Sequence, residues 1–350
     1  MWGAERSQVS AFGTILFGTG GGTPPHANIT KHMSKLRVAV VGAGQFGLNH
    51  MRVVSQSEHA ELVGVSDLDR ARAAAAALRF SCPALDLDQL PGRAEAALIA
   101  VPTGAHAAVG CQLLEAGLDV LVEKPIAPDL VSARQLVETA RARGRILQVG
   151  HLERFNPAVA ALKKATTLPL FFEVHRMSVF TPRSLDVDVV LDLMIHDLDI
   201  VLDLAGEAPE EIRAAGISVL SQKVDIANVR LAFPGGCVAN LTASRVSTER
   251  VRKLRLFQPR QYISLDYARQ EGAIFEVGGP GGIGFRLLEV AKGEPLALEL
   301  EHFFECCATR ARPLVAGEDG TRALETALAV LAKIEEHSRR VERSLAAWKR

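Results

Sequence analysis

The sequence lacks an excess of charge of either sign and lacks long apolar runs. Its 40 Lys and Arg residues balance 40 Asp and Glu residues, so the formal net charge is zero. Because binding to nucleic acids or membrane surfaces usually requires a basic excess, neither partner is expected. No apolar run reaches the roughly 18 residues that a membrane span needs. The remaining expectation is a protein that acts on small molecules.

The sequence also lacks a cysteine framework. It contains five cysteines, an odd number, with no C-x-x-C spacing, so neither a disulfide scaffold nor a zinc site is indicated and no metal is expected. Reduced thiols in a cytoplasmic protein are the simplest interpretation. The cysteines are Cys82, Cys111, Cys237, Cys306 and Cys307.

A length of 350 residues allows two domains. Residues 1–33 contain the run T-G-G-G-T-P-P and have no basic segment followed by an apolar core. They therefore do not resemble a secretory signal, and we expect a disordered N-terminal extension.

A glycine-rich turn follows the first strand-like run. Leu36 to Val41 is short and β-branched, Gly42-Ala-Gly-Gln-Phe-Gly47 follows directly, and a helix-like segment continues to Ser57. In this context G-x-G-x-x-G predicts a dinucleotide site, in which the glycines allow a tight turn, close approach of a pyrophosphate and close helix packing. A glycine turn in an unrelated loop is the alternative. The predicted cofactor residues here are Gly42, Gly44, Gln45, Phe46 and Gly47.

An acidic residue supports the dinucleotide interpretation. A second predicted strand, Glu61 to Ser66, ends at Asp67, 20 residues after Gly47. A carboxylate at this place accepts hydrogen bonds from both ribose hydroxyls and repels a 2′-phosphate, which favours NAD over NADP. Arg70 lies nearby and would weaken this preference.

Strand and helix patterns continue to alternate, as a doubly wound parallel sheet requires. Strands are predicted at 94–101, 119–122 and 145–149, with helices at 107–116 and 128–143. Because the carboxyl ends of such strands line the ligand crevice, the polar residues that follow them are candidates for the site. They are Thr103, His106, Glu123, Lys124 and His151.

The segment from Val189 to Leu204 combines apolar residues with acids and one histidine. On a helix, Asp192, His196, Asp199 and Asp203 fall at i, i+4, i+7 and i+11 and form one stripe. The functional interpretation places Asp192 and His196 in an active site. The alternative is a solvent-facing line on a buried helix, or, for Asp199 and Asp203, a pair that reaches a neighbouring arginine.

Four ordered motifs carry a resemblance to a known family. They are G-A-G-Q-F-G, Pro102-Thr-Gly-Ala-His106, Val122-Glu-Lys-Pro-Ile126 and the D-x-x-x-H formed by Asp192 and His196. Over about residues 35 to 340 the sequence resembles the glucose-fructose oxidoreductase and inositol dehydrogenase family of NAD(P)-dependent sugar dehydrogenases.

This resemblance implies an α/β fold: an N-terminal Rossmann domain with a doubly wound parallel sheet, then an α+β domain with an open, largely antiparallel sheet. The active site is expected between them. The resemblance also implies that Lys124 reaches the reacting hydroxyl, that Asp192 and His196 face the nicotinamide, and that Lys124-Pro125 is cis. A cis X-Pro bond costs only about 0.5–1 kcal/mol.

A narrower resemblance concerns the substrate. The runs V-G-H-L-E-R-F-N-P (149–157) and L-D-L-M-I-H-D (191–197) are similar to the branch that oxidises the 3-hydroxyl of UDP-N-acetylglucosamine. In that branch transamination to a 3-amino sugar for lipid A follows, which implies a PLP-dependent aminotransferase downstream. A free polyol or inositol dehydrogenase is the alternative within the same chemistry. A nucleotide-binding regulatory protein without turnover is the alternative of another class.

Five residues are predicted to contact the substrate, and guanidinium groups suit a diphosphate. Four of them have a structural alternative. His151 would be a satisfied structural histidine and Arg154 a salt-bridged domain pin. Arg176 and Arg183 would be surface arginines. The predicted residues are His151, Arg154, Asn156, Arg176 and Arg183.

The second half is predicted to hold successive strands at 212–220, 224–233, 237–246 and 250–257. We expect an NAD-binding domain at 34–152, a substrate and oligomerisation domain at 153–320, and a C-terminal helix at 321–350 that packs back on the first domain. An alternating sheet with one covered face leaves the other free. The family resemblance implies a homodimer or homotetramer through this face.

Overall fold

The structure is a computed structural model, and it describes residues 34–181, 187–278 and 282–348. The predicted extension at 1–33 and the predicted substrate residue Arg183 lie outside these ranges.

The first half forms a five-stranded parallel sheet with the strand order β2-β1-β3-β4-β5. Its strands are β1 (Leu36–Val41), β2 (Ala60–Ser66), β3 (Ala96–Ile99), β4 (Asp119–Glu123) and β5 (Leu147–Gly150). Its helices are α1 (Gln45–Gln56), α2 (Arg70–Phe80), α3 (His106–Glu115) and α4 (Leu130–Arg143). The predicted doubly wound parallel sheet is therefore confirmed.

Continuous apolar strands build this sheet because helices cover both of its faces. In β1, Val38 and Val40 belong to the core on one face, whereas Ala39 and Val41 belong to the core on the other. The polar residues are consequently displaced to the ends of the strands, where the site lies.

The second half forms an eight-stranded sheet with the order β13-β12-β11-β10-β6-β9-β8-β7. Only the contact between β6 and β9 is parallel among its described strand pairs, so the predicted open, largely antiparallel sheet is confirmed. The strands are β6 (Phe171–Val179), β7 (Glu211–Ile217), β8 (Ile226–Ala232), β9 (Val238–Ser247), β10 (Val251–Gln258), β11 (Gln261–Asp266), β12 (Glu271–Val277) and β13 (Ile283–Leu287).

The four predicted strands correspond to β7 through β10 with small shifts in their ends. Strand β6 was not predicted from the sequence, although it lies in the middle of the sheet. Its inward-facing residues are Phe172, Val174 and Arg176. Because a buried arginine interrupts the alternation of apolar and polar residues, the period of two is weak in this strand.

Three helices pack on one face of the second sheet: α5 (Pro157–Ala165), α6 (Ile195–Ala205) and α8 (Gly317–Trp348). A fourth, α7 (Pro295–Thr309), packs instead on the parallel sheet beside α1. A single π-helical segment, Val190–Met194, precedes α6, so the predicted stripe does not lie on one regular α-helix. Among the described residues, no helix is long and apolar enough to cross a membrane.

The C-terminal helix contacts both halves rather than the first alone. Leu324 belongs to a core cluster of the parallel sheet, whereas Ala327, Val330 and Ile334 belong to the core under the eight-stranded sheet. Helix α8 also packs against α4, α6 and β7. It therefore helps fix the two halves against each other on either side of the site.

Candidate active site

The glycine turn between β1 and α1 has the shape that a dinucleotide requires. Gly42 has a φ of +100°, and a Cβ there would lie 2.5 Å from the Ala100 carbonyl oxygen. A Cβ on Gly47 would lie 1.7 Å from the Gly42 carbonyl oxygen. At Gly44, which caps the N-terminus of α1, an added Cβ meets nothing within 4 Å. The turn thus needs glycine at its two ends and leaves room for a pyrophosphate at the helix N-terminus.

Asp67 lies at the end of β2, beside the glycine turn. Its Oδ2 accepts a hydrogen bond from the Ala43 N–H at 2.7 Å, and its Oδ1 accepts one from the Asp69 N–H at 2.8 Å. These bonds fix the carboxylate at the wall of a cleft of about 900 Å³, which Gly44, Gln45, Phe46 and Arg70 also line. The residues of this cleft fit NAD.

A second cavity of about 300 Å³ adjoins this cleft, and Phe46 lines both. The carboxyl ends of β3 and β4 form one wall, with Thr103, Glu123 and Lys124. The opposite wall includes Asp192 from the π-helical segment. Residues from both halves of the chain therefore meet in this cavity.

Lys124 is the central cation of the cavity. Its Nζ donates a hydrogen bond to the Asp192 carbonyl oxygen at 2.7 Å and lies 3.5 Å from Asp192 Oδ1. Burial lowers the pKa of Lys124, while the charges of Asp192 and Glu123 oppose this effect. The Lys124-Pro125 peptide bond is cis, as the resemblance implied.

The charge of Lys124 acts on two buried histidines. The rings of His151 and His196 meet edge to face with their centroids 6.0 Å apart. Neither nitrogen of His151 hydrogen-bonds a described residue, and Nδ1 of His196 has no such partner either. Burial, together with the charges of Lys124 and Arg154, lowers the pKa of His151 to about 3.

Burial also lowers the pKa of His196 well below its ordinary value. Positive charges lower it further, with Lys124 first and then Arg176. Both imidazoles are consequently neutral near pH 7 and can accept or donate hydrogen bonds. The predicted group of Lys124, Asp192 and His196 is thus brought together, with His151 beside it.

His106 lies at the cavity wall, but both of its ring nitrogens face backbone carbonyl oxygens of the protein. Its Nδ1 lies 2.9 Å from the Pro125 carbonyl oxygen and its Nε2 lies 2.9 Å from that of Val101. The side chain therefore braces the turn that carries Lys124, and its polar atoms are not directed at a cofactor.

Three predicted substrate residues are engaged in buried structural bonds. Arg154 is paired with Asp199 at 3.4 Å and with Asp203 at 2.7 Å, which favours the domain-pin alternative. Asp199 is buried, so the stripe is not a solvent-facing line; its last two acids form the arginine-bound pair instead. Arg154 thereby ties the segment after β5 to helix α6.

Asn156 and Arg176 are held in the same way. Asn156 caps α5 through the Ala158 N–H at 3.1 Å and donates to Glu153 at 3.1 Å. Arg176 binds Asp197 through Nε at 2.7 Å and Nη2 at 2.9 Å, and it is buried rather than exposed. The predicted surface-arginine alternative for Arg176 is therefore wrong, because its charge is compensated inside the protein.

A group of buried polar side chains near Glu123 was not predicted from the sequence. His50 Nε2 lies 2.7 Å from Glu123 Oε1, and the His50 side chain is fully buried. Glu299 on α7 is also fully buried, and neither of its carboxylate oxygens has a hydrogen-bond partner among the described residues. Burial and the nearby charge of Glu123 raise the pKa of Glu299 well above its ordinary value, which favours a neutral carboxyl.

A weak signal for His50 is present in the sequence. It follows Gly47 by three residues on α1, so it lies on the helix that begins at the cofactor turn. Its partner is 73 residues away, and spacing along the chain alone does not reveal such a pair.

Two family models match parts of this chain. One family model, described as oxidoreductase family, NAD-binding Rossmann fold, matches residues 36–151. A second, the GFO/IDH/MocA C-terminal domain, matches residues 170–261.

Individual relatives cover nearly the whole described chain. The UDP-N-acetylglucosamine 3-dehydrogenase of Acidithiobacillus ferrooxidans is 36% identical over 310 residues, which cover 87% of this chain and 98% of the relative. A solved structure of that enzyme matches with a TM-score of 0.83 and 35% identity, covering 87% of this chain and 99% of the other. The scyllo-inositol 2-dehydrogenase (NAD(+)) of Bacillus subtilis is 26% identical over 330 residues, covering 84% and 93%.

Proposed function

Since the chain belongs to the Gfo/Idh/MocA family of NAD-binding oxidoreductases, we propose that it oxidises the 3-hydroxyl of UDP-N-acetylglucosamine to the 3-oxo sugar. The observation that carries the proposal is the contact of Lys124 with Asp192 in the cavity beside the dinucleotide cleft, with His196 four residues after Asp192 on the same helical segment. The likeness to a UDP-N-acetylglucosamine 3-dehydrogenase over almost its full length supports this substrate.

Lys124 takes the proton of the reacting hydroxyl in the proposed mechanism. Burial lowers its pKa, which raises the share of neutral amine that can accept a proton. The Asp192 carboxylate, 3.5 Å away, then stabilises the ammonium ion that forms. NAD, when bound, supplies the hydride acceptor.

His196 orients the hydroxyl in the same network. Because its lowered pKa keeps the imidazole neutral, His196 can hydrogen-bond the hydroxyl. A neutral imidazole does not compete with Lys124 for an ion pair with Asp192. His151 packs against this ring at its edge and is proposed to contact the sugar.

Purified protein with NAD and a panel of UDP-sugars and free polyols tests the proposal, with the absorbance of the reduced cofactor as the readout. The equilibrium of alcohol oxidation can oppose net product, so a PLP-dependent aminotransferase with glutamate is added to trap the 3-oxo sugar. Turnover of UDP-N-acetylglucosamine supports the proposal. Turnover of myo-inositol without any UDP-sugar overturns the substrate, and no turnover of any alcohol favours a regulatory binding protein.

The proposal also covers the setting of the enzyme. The 3-oxo product is the substrate of a PLP-dependent aminotransferase, so a step in lipid A amino-sugar synthesis is proposed. The five cysteines are free, which fits a reducing cytoplasm.

A homodimer or homotetramer through the second sheet is proposed as well. Five aromatic side chains form a cross-strand row on the face that the helices leave uncovered, with neighbouring ring centroids 4.8 to 5.8 Å apart. Phe257 and Phe285 are 37% and 62% exposed, and exposed apolar patches of this kind mark interfaces. The row consists of Phe171, Phe257, Tyr262, Phe275 and Phe285.

Light scattering after size-exclusion chromatography tests the interface. The wild-type protein is expected to have at least twice the mass of one chain, and Phe285→Glu is expected to weaken the assembly. A monomeric wild-type protein would refute the oligomer.

A further inference from the structure

Two arginines lie side by side where the second sheet approaches the active site. Arg176 on β6 and Arg252 on β10 are paired in the antiparallel register of these strands. Both contact the same carboxylate, Glu153, which is buried at the junction of the two halves. Their guanidinium groups therefore belong to one cluster, although they differ in how fully they are bound.

The Arg176 guanidinium is fully engaged by the protein. It makes a two-pronged pair with Asp197 and a third bond from Nη1 to Glu153 Oε1 at 3.0 Å. Its side chain is only 3% exposed, and it lies over the ring of Tyr267 at 5.4 Å. Such a group holds structure and has little capacity left for a ligand.

Arg252 is bound much less tightly. Its side chain is 44% exposed, and its one described contact runs from Nη1 to Glu153 Oε1 at 3.4 Å. That oxygen already accepts the shorter bond from Arg176. Nε and Nη2 of Arg252 contact no acceptor among the described residues, so this guanidinium presents an available pair of donors.

The position of Arg252 relates it to the reaction site. Its partner Glu153 lies two residues after His151, and the ring of His151 meets the ring of His196 with the centroids 6.0 Å apart. Arg252 therefore contacts the segment that carries one of the two histidines of the site, and its positive charge contributes to the lowering of the His196 pKa. An anion attached to the same sugar ring would come within its reach.

We propose that Arg252 binds the diphosphate of the nucleotide sugar and so selects nucleotide-linked sugars over free ones, an inference that rests on the proposed function. Guanidinium forks match the oxygens of phosphate groups and bind them with charge-assisted bonds. A free polyol carries no anion to use this group. Arg252 is thereby a specificity-determining residue, not a participant in proton or hydride transfer.

Arg252→Met tests this inference because methionine keeps part of the aliphatic stem and removes the charge. The variant is expected to raise KM for UDP-N-acetylglucosamine and the calorimetric Kd for UDP by roughly 10- to 100-fold, the size expected for one charged hydrogen-bonded contact. The change in kcat is expected to be much smaller. Arg252→Lys keeps the charge but loses the two-pronged donor geometry. Its KM for UDP-N-acetylglucosamine and its Kd for UDP are expected to lie between those of the wild type and those of Arg252→Met.

Arg255→Met is the matched control. Arg255 lies on the same strand, faces the open side of the sheet and binds Glu173 at 3.0 Å, so its loss should leave KM and the UDP affinity unchanged. Equal effects of the two methionine variants would overturn the inference.

Two results separate this inference from the proposed function. If the wild-type protein turns over UDP-N-acetylglucosamine but Arg252→Met binds UDP as tightly as wild type, the inference is wrong and the function stands. If the wild-type protein neither turns over UDP-sugars nor binds UDP, the proposed substrate itself is wrong. Thermal unfolding of each variant confirms that the protein is folded in the assay.

Discussion

Replacement of Lys124 by methionine is the most direct test of the active site. The Lys124 side chain is 13% exposed and is held between the Asp192 carbonyl oxygen at 2.7 Å and the Asp192 carboxylate at 3.5 Å. Lys124→Met keeps a chain of similar length and removes the proton acceptor. We expect kcat to fall far more than KM rises. The amine is proposed to accept the proton during the reaction, whereas before the reaction it is already hydrogen-bonded to Asp192 and contributes little to substrate binding.

The expected magnitude follows from the role of one positioned base. General base catalysis contributes about 10²- to 10⁴-fold, and each factor of ten corresponds to about 1.4 kcal/mol of activation free energy. The loss is therefore about 3 to 5.5 kcal/mol in kcat. The pH profile gives a second signature: wild-type activity rises as Lys124 loses its proton, below the ordinary lysine pKa because burial lowers it, and this limb should be absent in the variant.

Steady-state kinetics over a range of pH measure both effects, with NADH binding followed by fluorescence as a check on the cofactor site. Lys124→Arg is the matched variant, because it keeps the positive charge but stays protonated at any assay pH. Both variants should be slow if proton transfer matters. A Lys124→Met enzyme with the wild-type kcat would remove Lys124 from the chemistry.

Three further predictions concern the cofactor turn and the buried charges. Gly44→Ala should keep the wild-type melting temperature, because a Cβ there meets nothing within 4 Å, but should weaken NAD binding in a calorimetric titration. Gly47→Ala should destabilise the fold, because a Cβ there lies 1.7 Å from a carbonyl oxygen. Similar melting temperatures of the two variants would contradict this. His50→Leu should lower the free energy of unfolding in urea by about 1–3 kcal/mol, since it leaves the buried carboxylate of Glu123 without its partner, and His50→Gln, which retains a donor, should lose less. Burial raises the pKa of Asp199 from 3.8 to about 7, so between these pH values the native state holds a proton that the unfolded chain releases. The free energy of unfolding of the wild-type protein therefore falls by up to about 4 kcal/mol as the pH rises from about 4 to 7. Asp199→Asn should reduce this decline. Parallel pH profiles of urea unfolding for the two proteins would show that Asp199 is not the cause.

The cofactor-binding part of the site could be predicted from the sequence because its motifs are local. The glycine turn, Asp67 and Lys124 each follow a predicted strand directly, and the carboxyl ends of parallel strands meet at one edge. The structure confirms the parallel sheet and the turn geometry that this argument requires.

The substrate-binding part of the site was harder to predict from the sequence. Arg154 and Arg176 were predicted from the sequence as ligand groups, and the structure shows both bound to buried acidic side chains. Arg252 was not predicted, because a pattern of alternating residues does not distinguish it from Arg255 on the opposite face of the same strand. The strand that carries Arg176 was itself not predicted.

By itself the sequence determined the succession of strands and helices, the nucleotide turn and the kinds of side chain that approach it, because these depend on neighbours within one strand-turn-helix unit. Only the tertiary structure decided which charged side chains are occupied and which are available. Whether a guanidinium or an imidazole is free for a ligand depends on the carboxylates that reach it from other elements. Such partners are distant along the chain: Asp197 is 21 positions from Arg176, and Glu123 is 73 positions from His50.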